Sequence, residues 1–377
     1  MRSKTLALAA VGAGVALVLS ACGANEAPAP PAGGGGTTSG SASAPAAGGT
    51  KVGVILPETA SSARWEGFDK PMLLEAMKAQ GLDADIQNAQ GDTATFTRLA
   101  DGMITQGVKV LVIASINSEL GKTVATKAGN AGIPVIDYDR LNLGGSSKYY
   151  VSFDNTKVGE LQGQALADAL KGKAGAQVIE IEGAPTDNNA TLFHAGQQKV
   201  LKPLYEAGTL KLVKSQPIDN WDNQKGGQTF EQILTQNGGK VDGVVAANDG
   251  LAGAVITVLK KTGLKVPVTG QDATPAGLQA VLRGEQYMTV FKPIKQEAEA
   301  AAKLAAALAK NDTAAADAIA TQTENDPTGN RQVKSVLLQP QTITADNVKL
   351  VIDQGYVKAA EVCTGDVAPL CQAKGIS

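Results

Sequence analysis

Short runs rich in Val and Ile alternate with helix-periodic segments along most of this chain, and no other feature narrows the fold as much. The runs are KVGVIL (51–56), VKVLVIA (108–114), IPVIDYD (133–139) and AQVIEIEG (176–183), followed by LKLVKSQ (210–216), VDGVVAAND (241–249), VPVTGQD (266–272) and YMTVFKP (287–293). Between the first two, Trp65, Phe68, Met72 and Ala76 repeat at helical spacing before Gly81, and Phe96, Leu99 and Met103 do so before Gly107. A glycine just past the last apolar position is a common helix stop. Apolar strands separated by amphipathic helices predict a parallel sheet covered on both faces, the doubly wound α/β class. The pattern runs twice: one set of strands ends near Phe153 and a second begins near Gln177. Two sheets, and therefore two lobes, are expected.

The N-terminus does not share this pattern. Arg2 and Lys4 precede an uncharged apolar stretch at 6–19, too short for a comfortable membrane span and suited to a signal peptide. It ends in Leu19-Ser20-Ala21-Cys22, which resembles the lipobox of bacterial lipoproteins, with Cys22 as the acylated residue. Residues 1–22 are read as signal peptide. Residues 23–50 are dominated by Gly, Pro, Ala, Ser and Thr with almost nothing to build a core, so they are read as a disordered tether. As a random coil the tether would hold the body on the order of 30 Å from the lipid. The expected location is the outer face of a cell membrane or the periplasm. With Cys22 lipidated, Cys363 and Cys371 remain, and export makes a disulfide between them the expectation, worth about 2–3 kcal/mol for so short a loop. A single His argues against a metal site, and no cofactor is expected.

Residues 51–377 are long enough for two domains. The net charge of −2 leaves no basic footprint for nucleic acid. Polar residues recur where the strands end: Asp139 and Arg140, Asn248 and Asp249, Asp272, and Lys292. In open parallel sheets ligands bind beyond the carboxyl ends of the strands, so these positions read as the walls of a cleft.

Several stretches carry a resemblance. RWEGFDK (64–70), VLVIASIN (110–117), DYDR (137–140), YVSFDNTKVGELQGQAL (150–166), DNNATLF (187–193), VVAANDGLAGA (244–254), GQDA (270–273) and TVFKP (289–293) resemble, in order, the periplasmic sugar-binding proteins of bacterial ABC transporters, most closely the D-xylose-binding branch. The resemblance implies a type I periplasmic binding protein fold, two lobes joined by a three-segment hinge. The crossings would lie near Asp154-Asn155, near Phe291-Lys292 and within VKSVLLQPQT (333–342). It implies an N-terminal lobe of 51–155 plus 292–335 and a C-terminal lobe of 156–291 plus 336–377, with the disulfide on the outer edge of the second.

A pyranose offers hydroxyls that donate and accept, and two C–H faces. Ionised Asp accepts from neighbouring hydroxyls, an Arg fork donates to two, Asn does one of each, and aromatic rings pack on the faces. The resemblance places Asp139, Arg140, Asn189, Asn248 and Asp272 in those roles, with Arg64, Trp65, Trp221 and Lys292 as further ligand-contacting candidates. Alternatives stay open. Trp65 could belong to the core face of its helix, Asn189 could be a helix cap, and Lys292 could serve the hinge. Trp221, framed by polar residues in DNWDNQKG, has little reason to be there unless it packs on something. His194 reads as packing or surface.

The implied function is a monomeric, lipid-anchored receptor that hands a monosaccharide, D-xylose foremost, to an ABC permease. The same fold could bind glucose or another aldose and act as a sensor for a membrane receptor. No acid–base pair or nucleophile stands out that would make an enzyme. A repressor of the same fold would need an N-terminal DNA-binding domain in place of the leader and tether.

Overall fold

The computed structural model describes residues 49–59 and 62–376. The expected signal peptide, Cys22 and most of the expected tether lie outside them. Thr50, read from sequence as the last tether residue, is instead the first residue of a strand. The strands in chain order are β1 (Thr50–Leu56), β2 (Leu82–Asn88), β3 (Val110–Ile113), β4 (Val135–Tyr138), β5 (Tyr149–Phe153) and β6 (Ala176–Glu182). They continue with β7 (Leu210–Pro217), β8 (Gly243–Ala246), β9 (Thr289–Phe291), β10 (Gln322–Asp326), β11 (Arg331–Leu338) and β12 (Gln341–Ile343).

These strands make a seven-stranded sheet in the order β10-β11-β5-β4-β3-β1-β2, a three-stranded sheet β7-β6-β8, and a small β12-β9 pair. All pairings in the two larger sheets are parallel except β10 with β11. The class expected from the alternation is the class observed. Both faces of β1 are buried: Val52, Val54 and Leu56 pack with Leu73, Ala301 and Leu304, while Ile55 packs with Phe96, Met103 and Ile113. Two buried faces are why the run reads as continuously apolar.

The chain leaves the seven-stranded sheet after Phe153, returns to it after Phe291, and leaves again after Leu338. The division expected at 335/336 falls inside β11, whose pairing with β5 continues to Leu338 opposite Phe153. VPVTGQD, expected as a strand, makes only one bridge, Val244 to Val268. The Thr269 hydroxyl takes the Ala246 N–H at 3.0 Å, so a side chain closes a ladder position that backbone would otherwise fill.

Cys363 and Cys371 form a disulfide, with Cα atoms 5.7 Å apart. Expected on an outer edge, Cys371 is instead buried in an apolar cluster that includes Phe153, Phe291 and Tyr356. Val362, Val367 and Ile376 join the same cluster and draw the C-terminal segment inward. Among the described residues no helix is long and apolar enough to cross a membrane.

Candidate functional site

Two acids past the ends of the sheets have left-handed backbone: Asp139 at φ 60° and Asp272 at φ 98°. Such conformations cost about 1–3 kcal/mol for a residue with a Cβ and persist only where the surroundings over-determine them. The surroundings of Asp139 do so. Its N–H donates to Val151 O at 2.8 Å, and its carbonyl accepts from Tyr150 Oη at 2.9 Å, Ser152 Oγ at 2.8 Å and Asn189 Nδ2 at 2.9 Å. The Asp272 N–H donates to Val290 O at 2.9 Å. Other polar residues past strands serve their own helices. Asp154, Asp187 and Asn248 accept from the first-turn N–H groups of Lys157, Asn189 and Leu251, each at 2.9 Å. Asp139 and Asp272 cap no helix, and their carboxylates face the space between the lobes.

The wall built on the seven-stranded sheet is charged. Arg64 is 2% exposed, and all three of its guanidinium nitrogens are engaged. It reaches Asp139 Oδ2 at 2.7 Å, Asp69 at 2.7 and 2.8 Å, and Glu297 Oε2 at 3.1 Å. Tyr138 Oη adds a bond to Asp69 at 2.8 Å. Burial alone would lower the Arg64 pKa, but the carboxylates of Asp139 and Asp69 outweigh it and raise it further. Burial would raise Asp139, yet Arg64, Lys292 and Arg140 hold it below the usual carboxylate range. Burial and the charge on Asp139 push Glu297 well up, against the pull of Arg64. Arg140 donates to Ser115 O at 3.0 Å and Glu58 Oε1 at 2.9 Å, and pairs with Asp187 Oδ2 at 3.0 Å. Trp65 lies 4.4 Å below the Arg64 guanidinium and 5.2 Å from that of Arg140. It is both a core residue and a wall of the cleft, so the two readings of Trp65 describe one position.

The wall built on the three-stranded sheet is mostly amide and aromatic. Asn189 sits in the first turn of helix Asn188–Glu206, capped by Asp187 rather than acting as the cap. Its Nδ2 reaches Asp139 Oδ1 at 3.2 Å, and its Oδ1 accepts from Asn155 Nδ2 at 3.0 Å. Trp221 is buried in a single turn, Asp219–Trp221, with φ 54°; its Nε1 donates to Asp187 Oδ2 at 3.1 Å. Its ring lies so close to Gly183 that a Cβ there would sit 2.2 Å away, which is why that position is glycine. Lys292 stands between the walls, 3.8 Å from Asp139 and 3.4 Å from Asp272.

A cavity lies between the walls. Arg64, Trp65, Asp139, Arg140, Asn189, Trp221, Asn248, Asp272 and Lys292 all line it. So do Ser62, Asp187, Phe193 and Gln271, which the sequence reading leaves out of the site. Gln271 and Asp187 adjoin chosen residues, so a wider net around each strand end would have caught them. Nothing local marks Ser62, whose hydroxyl donates to Asp272 Oδ2 across the cleft at 3.0 Å. Asp137 is not part of the lining: it is buried against Asn142 and Ser147, and burial lifts its pKa to about 6. His194 is not part of the lining. The lining offers acceptors, donor forks and ring edges together.

Comparison with known proteins gives a consistent picture. The periplasmic binding protein domain matches residues 52–313. The D-xylose-binding periplasmic protein of Escherichia coli is 38% identical over 302 residues, 79% of this chain and 88% of that protein. The multiple sugar-binding periplasmic receptor ChvE of Rhizobium radiobacter is 35% identical over 331 residues, 82% of this chain and 92% of that one. Among solved structures, a carbohydrate transporter solute-binding protein from Chloroflexus aurantiacus in complex with D-glucose superposes with a TM-score of 0.76 at 32% identity, covering 82% of this chain and 97% of that chain.

Proposed function

This chain belongs to the periplasmic binding protein family, and on that premise we propose that it captures one monosaccharide between its lobes and presents it to an ABC permease. The observation that carries the reading is the lining of the cleft. Arg64, Asp139 and Arg140 from one wall face Asn189, Asn248, Trp221 and Asp272 from the other around a single cavity. Sugar hydroxyls would replace the direct bonds between the walls, such as Asn189 to Asp139 and Ser62 to Asp272. We take the lobes to be 51–155 plus 292–338 and 156–291 plus 339–377, with Lys292 at one crossing.

D-xylose is the proposed ligand, supported by the 38% identical relative named for it. A second reading, D-glucose, is favoured by its presence in a similar solved structure. The two sugars differ by one hydroxymethyl group, a difference worth only about 1–3 kcal/mol in a binding pocket. A role as receptor-coupled sensor would use the same site. Calorimetry of the full chain against xylose, glucose, arabinose, galactose and ribose tests the proposal. One-to-one binding with xylose tightest is expected. If none of these sugars binds, the proposal fails.

A further inference from the structure

A second polar cluster lies outside the cleft. Glu180 and Glu182 are two apart on β6, so they share one face with Val178, the face covered by helix Asn188–Glu206. Both are buried, at 0% and 5% exposure, and His194 of that helix stands over them half-exposed. His194 Nδ1 is 3.5 Å from Glu182 Oε1 and 4.0 Å from Glu180 Oε2. One donor atom from each of the three residues falls within a sphere of contact no wider than 4.8 Å. We infer that Glu180, Glu182 and His194 form a binding site for one divalent transition-metal ion of the zinc type.

Three observations carry this. The first is Glu180 Oε2, which is buried without a hydrogen-bond partner among the described residues and is aimed at His194. An unsatisfied buried carboxylate oxygen is costly, and a cation satisfies it. The second is charge. Two buried carboxyl groups face one imidazole, and a dication bound to both as carboxylates with the imidazole neutral leaves the set without net charge. The cluster around Arg64 differs here, because Arg64 and Lys292 already offset its carboxylates. The third is geometry. Zinc bonds of about 2.0–2.2 Å in a tetrahedron put ligand atoms roughly 3.3–3.5 Å apart, so small side-chain rotations complete the set.

The other oxygen of Glu180 is held by Tyr205 Oη at 2.8 Å and Gln198 Nε2 at 2.9 Å, the outer-shell support that orients a ligating carboxylate. An imidazole ligand favours zinc-type ions over calcium or magnesium. The half-exposed His194 leaves a side open for entry and for water to complete the coordination. The ion would fasten helix Asn188–Glu206 to β6, and the first turn of that helix carries Asn189 into the cleft.

The test is calorimetry and thermal denaturation of the untagged, chelator-treated full chain with Zn²⁺, and with Ca²⁺ and Mg²⁺ in parallel. One Zn²⁺ per chain and a higher Tm are expected, with little response to Ca²⁺ or Mg²⁺. His194→Ala, at a half-exposed position that folding tolerates, should weaken Zn²⁺ binding by more than about 10-fold, since even loss of an outer-shell partner costs that much. Glu182→Gln should do the same, with circular dichroism checking that each variant folds. No stoichiometric Zn²⁺ at micromolar concentration, or equal binding by the wild type and both variants, would overturn the inference.

Discussion

The two walls of the cleft are held in place by different physics. On the seven-stranded side, guanidinium and carboxylate groups lock one another: Arg64 bonds to Asp69, Asp139 and Glu297, and Arg140 to Glu58. On the three-stranded side, Asn248 and Asp187 are fixed by capping their own helices, and Trp221 by a bond to Asp187 and an edge-on contact with Phe193. Side-chain charge pre-aims one wall, and backbone pre-aims the other. Damage to the first wall should therefore cost stability as well as affinity, whereas damage to the second should cost mainly affinity.

Arg64→Ala tests this contrast most severely. It strands Asp69, Asp139 and Glu297 in a buried site, and losing one partner of a buried ion pair costs about 3–5 kcal/mol. Chemical denaturation should show a loss of that size, and sugar binding should vanish. Arg64→Lys should not restore it, because an ammonium cannot supply the fork. A variant with wild-type stability would break the comparison.

Asp139→Ala and Asp272→Ala sharpen it. Each removes a charged acceptor whose hydrogen bonds contribute about 1.5–3 kcal/mol, so calorimetry should show affinity falling roughly 10- to 100-fold in both. From sequence alone neither is a core residue and folding should not depend on either. Both are in fact buried, and Asp139 is paired with Arg64, so Asp139→Ala should also unfold at lower denaturant than Asp272→Ala. Equal midpoints would contradict the assignment of charge-locking to one wall.

Trp221→Ala should lower affinity by about 10-fold, given about 0.5–1.5 kcal/mol for an aromatic contact beyond its buried area. Sugar should perturb the tryptophan fluorescence of the wild type. Unchanged affinity in the variant would remove Trp221 from the site.

The pH dependence of stability treats the walls alike. Behind each lies a buried acid: Asp137 raised by burial to about 6, and Asp249 raised by burial and by Asp272 to about 7. An acid whose folded value exceeds its unfolded value of about 3.9 binds more protons when folded, so stability falls as pH climbs from about 4 through 6 and 7, then levels. Asp139, shifted the other way, loses its contribution only in stronger acid. Denaturation in the absence of sugar should give a stability lower at pH 8 than at pH 5. A rise over that interval would show that these acids are ionised in the folded state at pH 5.

Much of the molecule was legible in the order of residues. Val- and Ile-rich runs between amphipathic stretches specify parallel strands and helices, because periods of 2.0 and 3.6 are local properties of the backbone. Strand ends point at a cleft for the same reason: of the residues taken from them, Asp139, Arg140, Asn248, Asp272 and Lys292 line one cavity, while Asp249 is buried behind it against Thr274, Gln286 and Thr289. The polar edge strands β2 and β10 escaped the reading because half-exposed strands lack the apolar signal.

What only the tertiary structure decided is which polar group answers which. Asp139 and Asn248 both follow apolar runs. One takes a left-handed turn into the cleft and the other caps a helix, and residue type alone does not separate the two. Trp65 serves core and cleft together, where the sequence offered these as alternatives. Glu297 looks like one more charge on an alanine-rich helix, yet that helix packs on the seven-stranded sheet and carries it to Arg64, 233 residues away in the chain. Periodicity is written residue by residue, but the partner of a buried charge depends on which surfaces meet when the chain closes on itself.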